Sequence, residues 1–71
     1  MPETIGSRIA AYRKEKGYTQ EEIAQQLGVS SQAVSKWEND TSCPDIALLV
    51  PLSQLLGTTV AAILSGKPQG V

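Results

Sequence analysis

Residues 19–39, TQEEIAQQLGVSSQAVSKWEN, contain two predicted helices joined by a short turn. Thr19 and Glu22 have the spacing of a capping box, in which each side chain bonds the other residue's amide, so a helix begins here. Gly28 ends this helix, and Ser30 is a favourable N-cap for the next one, which runs to about the end of the quoted stretch. Two helices separated by only three residues, one of them glycine, form a helix-turn-helix unit.

The second of these helices has one apolar and one polar face. At about 100° per residue, Ala33, Val34 and Trp37 fall together, which predicts that they face the core. The opposite arc carries hydrogen-bonding side chains with a single charge, namely Ser31, Gln32, Ser35, Lys36 and Asn39. Side chains of these types can pair with base edges in the major groove of DNA. The pattern therefore predicts a DNA-reading face, although a merely solvated helix face has a similar polarity.

Three further helices are predicted around this unit. The first spans residues 4–16, where one apolar stripe recurs at helical spacing, formed by Ile5, Ile9 and Tyr12. The fourth begins near Pro44 or Asp45 after a loop. The apolar residues expected to face the core in the fourth and fifth helices are Ile46, Leu49, Leu52, Leu55, Leu56, Val60, Ile63 and Leu64.

Two breaks are predicted in this second half of the chain. Pro51 has no amide hydrogen and crowds the preceding turn, so we expect a kink or a restart of the fourth helix there. Gly57 ends that helix, and Thr59 opens a short fifth one. The count of five helices without strands predicts an all-α fold, a compact five-helix bundle. With 71 residues the chain holds one domain, predicted over residues 1–66, followed by a flexible tail over residues 67–71.

Composition excludes several classes of function. The chain contains no histidine, no glycine-rich phosphate loop and no cluster of metal ligands, so we predict no catalysis, no cofactor and no metal. Cys43 is the only cysteine, which excludes an internal disulfide and is typical of a reducing compartment. The longest apolar stretch, residues 46–52, is too short to span a membrane, and no secretory signal is visible. We therefore expect a cytoplasmic protein with no membrane contact and no evident small-molecule ligand.

The charge balance is unusual for a DNA-binding domain. Six Lys and Arg residues face seven Asp and Glu residues, so the net charge is −1 and the pI is near 5.1. Domains that bind nucleic acid are often strongly basic. The acidic balance therefore keeps open an alternative from another class, a protein–protein interaction module of antirepressor or antitoxin type that retains the fold without binding DNA.

The quoted stretch closely resembles the phage-repressor and Cro type of helix-turn-helix, the family called XRE-like. The resemblance covers about residues 5–66 and rests on Ala24 where the two helices approach, Gly28 at the turn, and apolar residues at Ile23, Leu27, Val29, Val34 and Trp37. It implies a lambda-repressor-like bundle with the helix-turn-helix in helices 2 and 3. It also implies a sequence-specific transcriptional regulator, a repressor in the simplest case, which binds a roughly palindromic DNA operator as a dimer. A further alternative is that the chain is the DNA-binding piece of a longer regulator.

The resemblance implies roles for individual residues as well. The positions that correspond to base contacts are Ser31, Gln32, Ser35 and Lys36. The positions that correspond to phosphate contacts are Gln20, which would also brace a base-reading side chain, Ser30, Asn39 and Lys14. Arg13 and Glu38 match a family ion pair between the first and third helices. A homodimer interface is implied in the region of the fourth and fifth helices, and we expect exposed apolar residues between Leu56 and Leu64 to form it.

Two departures from the family pattern concern the segment after the third helix. Asp40 stands where relatives frequently have glycine; aspartate tolerates positive φ better than most residues but brings negative charge toward DNA. The loop over residues 40–45 also lacks the lysine or arginine that many relatives carry there. Both departures predict a modest affinity for DNA and a strong dependence on dimerisation.

Overall fold

The computed structural model describes residues 4–65, and this range contains five α-helices and no strand. The helices are α1 (Ile5–Lys16), α2 (Gln20–Leu27), α3 (Ser31–Glu38), α4 (Ile46–Leu56) and α5 (Val60–Ser65). The predicted all-α, five-helix bundle is confirmed. The predicted tail, residues 67–71, lies outside the described residues.

The turn between α2 and α3 is built by caps that the sequence predicts. The Thr19 hydroxyl accepts from the Glu22 amide at 3.0 Å, and the Glu22 carboxylate accepts from the Thr19 amide at 2.8 Å. The Ser30 hydroxyl caps α3 by accepting from the Ala33 amide at 3.2 Å. Gly28 has a φ of 73°, a conformation that costs glycine little and other residues more. The chain can therefore turn sharply between the two helices, which pack directly against each other.

One hydrophobic core contains residues from all five helices. Its largest fully buried side chains are Ile9, Ile23, Val34, Leu52, Leu56 and Ile63. Trp37 is only 5% exposed, so the prediction that it faces the core rather than DNA is confirmed. Full burial of one such aliphatic side chain contributes about 1.5–3 kcal/mol. The core covers the inner side of α3, and the opposite side of this helix takes no part in the core.

Two predicted core residues lie on the surface instead. Ile46 is 65% exposed and Leu64 is 43% exposed. Leu64 directly follows Ile63, which is fully buried, so it lies about 100° around the helix from the inward direction. Ile46 lies about 60° from Leu49 on the side away from the other buried leucines of α4, at the edge of the buried stripe. Periodicity predicted the helices correctly but assigned too wide an apolar face to each.

The bounds of α3 and α4 differ slightly from the prediction. Helix α3 ends at Glu38, and α4 begins at Ile46 rather than at Pro44 or Asp45. No restart occurs at Pro51, because α4 is continuous through it. The carbonyl that lacks a partner there is that of Ala47, four residues earlier, and Ala47 is exposed so that water can satisfy it.

The residue that follows α3 fixes that helix against α1. Asp40 has a φ of 65°, the left-handed conformation expected at this position. Its carboxylate oxygen Oδ1 accepts from the Gly6 amide at 3.0 Å. This bond directs the carboxylate to the N-terminus of α1, where the helix dipole favours negative charge. The Asp40 side chain, which the sequence suggested would bring its charge toward DNA, therefore serves the packing of α1 on α3.

Candidate nucleic-acid interface

The outer side of α3 carries the four residues predicted to contact bases. Gln32 and Lys36 are exposed, one helical turn apart, and Ser31 and Ser35 are half-buried between them and the body of the domain. The opposite side of the helix is anchored by Val34, which is fully buried. The outer side of α3 thus carries hydrogen-bonding side chains of the types that pair with base edges, and its inner side is held in the core by Val34.

The four residues predicted to contact phosphates lie in different parts of the fold and differ in exposure. Lys14 is exposed in the last turn of α1, and Asn39 is exposed at the C-terminal end of α3. Ser30 uses its hydroxyl oxygen to cap α3, which leaves its hydroxyl hydrogen for another acceptor. Gln20 is half-buried at the start of α2, and its side chain contacts α3. Neither Lys14 nor Lys36 is in an ion pair within the described residues.

Asn39 is held by a residue that the sequence analysis did not single out. Its carbonyl oxygen Oδ1 accepts from both the amide and the hydroxyl of Thr41. With its oxygen occupied, the side-chain amide directs its nitrogen, the donor that a phosphate needs, away from Thr41. The signal was present in the sequence, since asparagine side chains commonly bond the backbone two residues later at the end of a helix.

Arg13, Gln20 and Glu38 form a polar cluster, the Glu38 node, that joins the first three helices. Arg13 Nε donates to Glu38 Oε2 at 2.6 Å, and Arg13 Nη2 donates to Glu38 Oε1 at 3.1 Å. Gln20 Nε2 donates to the same Oε1 at 3.0 Å. Arg13 Nη1 donates to the carbonyl of Tyr18 at 2.8 Å, in the turn before α2. The ion pair implied by the resemblance is thus present, with Gln20 as a third member.

The Glu38 node is shielded from water. The side chains of Arg13 and Glu38 are only 13% and 9% exposed. Desolvation offsets much of the attraction in such a pair, whereas the two-pronged geometry of arginine and carboxylate fixes direction strongly. The main effect of the cluster is therefore to set the angles between α1, α2 and α3, and so to place the outer side of α3.

Charge is distributed very unevenly along the chain. Residues 46–65, which include α4 and α5, contain no charged side chain. Every charge in the described range lies in α1 to α3 and the loop that follows them. The candidate interface therefore lies in the charged part of the described range, where it offers hydrogen-bonding groups and a few cationic side chains.

No group of three or more His, Cys, Asp or Glu residues in the described range could hold a metal ion, and none of the helices there is long and apolar enough to cross a bilayer.

Comparison with known proteins agrees with this arrangement. A family model described as Helix-turn-helix matches residues 9–63. Among solved structures, the chain resembles the P22 c2 repressor protein in complex with a synthetic operator, with a TM-score of 0.88 and 32% identity over 93% of this chain and 100% of that one.

Two curated relatives have similar sequences over most of this chain. The transcriptional regulator SinR of Bacillus subtilis is 39% identical over 64 residues, which are 89% of this chain and 58% of SinR. The transcriptional activator BcrR of Enterococcus faecalis is 37% identical over 63 residues, which are 89% of this chain and 31% of BcrR. The chain therefore spans less than two thirds of the length of these relatives.

Proposed function

Because this chain belongs to the XRE-type helix-turn-helix family, we propose that it is a sequence-specific regulator of transcription that binds double-stranded DNA. Helix α3 would enter the major groove, and the α2 side would contact the phosphate backbone. We further propose repression, because one of the similar solved structures is that of a repressor on its operator. The proposal includes no catalytic step. As a DNA-binding regulator, it would act in the cytoplasm, where the exposed, free thiol of Cys43 stays reduced.

This proposal rests mainly on one observation. The outer side of α3 is polar, and the fold is closely similar to that of a repressor solved on its operator. Gln32 and Lys36 would contact base edges, since glutamine pairs with adenine and lysine reaches the guanine acceptors. Ser31 and Ser35, whose side chains are shorter, would contact base edges beside Gln32 and Lys36. The phosphate contacts, which set register without reading sequence, are assigned to Gln20, Ser30, Asn39 and Lys14.

A second copy of the chain is the proposed partner, bound through α4 and α5. Within the range first expected, Leu56 to Leu64, three residues are buried in the core, Leu56, Ala62 and Ile63, so the exposed Ala61 and Leu64 would supply its contacts. The exposed apolar residues of these helices are Ile46, Ala47, Val50, Ala61 and Leu64. A two-fold interface brings each surface against its own copy, so a region without charges avoids like-charge repulsion. Two copies would place their α3 helices in successive major grooves, about 34–36 Å apart.

We predict that a charge in this region weakens the dimer. Val50→Glu should shift the monomer–dimer equilibrium toward monomer by roughly tenfold or more, because a desolvated and unpaired carboxylate is costly at an interface. Leu64→Glu tests α5 in the same way, and sedimentation equilibrium measures both. Ala11→Glu, an exposed site on α1, adds the same charge as a control. If both interface variants dimerise as well as the control does, α4 and α5 do not form the contact.

The acidic balance favours one alternative from another class. A net charge of −1 supplies little attraction for DNA, so a protein–protein module on the same fold remains the second candidate. Salt separates the two functions, since DNA affinity falls by about 0.9 logarithmic units per phosphate contact for each tenfold rise in salt, whereas an apolar interface is nearly insensitive. This chain covers only part of SinR and BcrR. Their length favours a second form of the regulator function, in which the chain is the DNA-binding piece of a longer regulator.

The experiment that tests the proposed function is a binding selection on a random double-stranded DNA library at low and at physiological salt. We expect enrichment of a roughly palindromic site, with half-sites about one helical turn apart. The affinity for the recovered site should fall steeply between the two salt concentrations. Failure to enrich any sequence at low salt would contradict the regulator function and favour the protein-partner alternative.

A further inference from the structure

Glu38 has one more partner than its ion pair with Arg13 requires. Its Oε1 accepts from Gln20 Nε2 at 3.0 Å as well as from Arg13 Nη2 at 3.1 Å. Gln20 is one of the residues assigned to the DNA backbone, whereas Glu38 has no assigned DNA contact. A side chain proposed to meet DNA is therefore held, within the free protein, by a shielded carboxylate on a different helix.

This contact gives the Gln20 amide one orientation. A carboxylate paired with arginine is only an acceptor, so Gln20 meets it with its nitrogen and not with its oxygen. An amide nitrogen carries two hydrogens, and one remains after the bond to Glu38. The carbonyl oxygen Oε1 lies on the other branch of the amide. Gln20 thus offers one donor and one acceptor in fixed places beside α3.

Resting on the proposed DNA-binding function, we propose that Glu38 is a positioning residue that holds the Gln20 amide ready for the DNA backbone. A side chain that is ordered before binding loses less rotamer entropy in the complex, and this raises affinity without a new contact. Arg13 completes the arrangement, because its other nitrogen is fixed by the carbonyl of Tyr18 and the carboxylate cannot swing away. The Glu38 node therefore acts on DNA binding through Gln20 as well as on the angles between helices.

A double-mutant cycle with Glu38→Gln and Gln20→Ala tests this role on the operator recovered by selection. Glu38→Gln keeps the length of the side chain, but a neutral amide can present either its oxygen or its nitrogen to Gln20, so the fixed orientation is lost. We expect Glu38→Gln to weaken operator binding about tenfold when Gln20 is present, the scale of one hydrogen bond. In the Gln20→Ala background the same change should weaken binding by a clearly smaller factor, which reflects only the angles between helices, since the two positions are coupled.

A purely structural role predicts a different result. Equal losses in both backgrounds would overturn the proposal, because Glu38 would then act on DNA only through the fold. Thermal unfolding of each variant identifies a temperature at which all variants are folded. If Glu38→Gln does not fold, Glu38→Asp, which keeps the charge but shortens the reach, replaces it in the same cycle. A wild-type chain that binds no DNA would overturn both this proposal and the proposed function, whereas equal losses overturn this proposal alone.

Nuclear magnetic resonance gives a second readout that needs no DNA. The two hydrogens of the Gln20 side-chain amide should differ strongly in chemical shift in the wild-type protein, because only one is bonded to a charged acceptor. We expect this difference to shrink in Glu38→Gln while the backbone resonances of α2 stay in place. A Gln20 amide whose resonances are the same in both proteins would overturn the proposed orientation.

Discussion

The double variant Gln32→Ala, Lys36→Ala should lose at least about 30-fold in affinity for the operator while it unfolds at the wild-type midpoint. Both side chains are exposed on α3, and neither belongs to the core. Each good contact to a base edge contributes about 1–3 kcal/mol of discrimination, so the loss of two is large. Alanine favours helix, so α3 itself should stay intact.

The measurement is a titration of the recovered operator and of an unrelated duplex with both proteins. Gln25→Ala is the control, because it truncates a glutamine at an exposed position in the second half of α2, to which no DNA or dimer contact is assigned. We expect the control to keep most of its operator affinity. The double variant should bind the two duplexes almost equally. Retention of operator preference by the double variant would remove α3 as the reading element.

The second large effect is expected for stability, at Gly6→Ala, which should destabilise the fold by about 3 kcal/mol. A methyl group at Gly6 would lie 2.3 Å from the carbonyl oxygen of Trp37 and 2.6 Å from that of Glu38. Both atoms are backbone, so relief requires α1 and α3 to move apart rather than a side chain to rotate. The movement would also weaken the bond between the Gly6 amide and Asp40.

Denaturant unfolding measures the change in the free energy of unfolding, and the sign of this change separates the two possible outcomes. In an open helix, replacing glycine by alanine stabilises by about 0.5–1 kcal/mol, so an ordinary helical site would give the opposite result. The control is Ala11→Gly, the reverse substitution at an exposed position of α1, which should cost about 0.5–1 kcal/mol. A Gly6→Ala protein as stable as the wild type would show that α1 and α3 are not in backbone contact.

Local chemistry in the sequence was sufficient to predict the five helices and the ends that form the turn between α2 and α3. The Thr19 and Glu22 capping box, the Ser30 cap and the positive φ at Gly28 all depend on residues within one turn of each other. For the same reason, the polar outer side of α3 followed from its sequence, since an eight-residue helix with a buried tryptophan leaves only one side for solvent. The family resemblance added the residue roles, which periodicity alone does not provide.

The tertiary structure decided which apolar residues are covered and how polar side chains are shared between helices. Ile46 and Leu64 fit the apolar pattern, but burial depends on neighbouring helices, and those leave both exposed. The bond between Gln20 and Glu38 joins residues 18 positions apart, and the contact of Gly6 with the end of α3 joins residues more than 30 positions apart. Sequence patterns describe one helix at a time, whereas these contacts arise from the angles at which three helices meet. The sequence by itself therefore determined the family and the polar outer side of α3, and the packing of α1, α2 and α3 determined how that side is held.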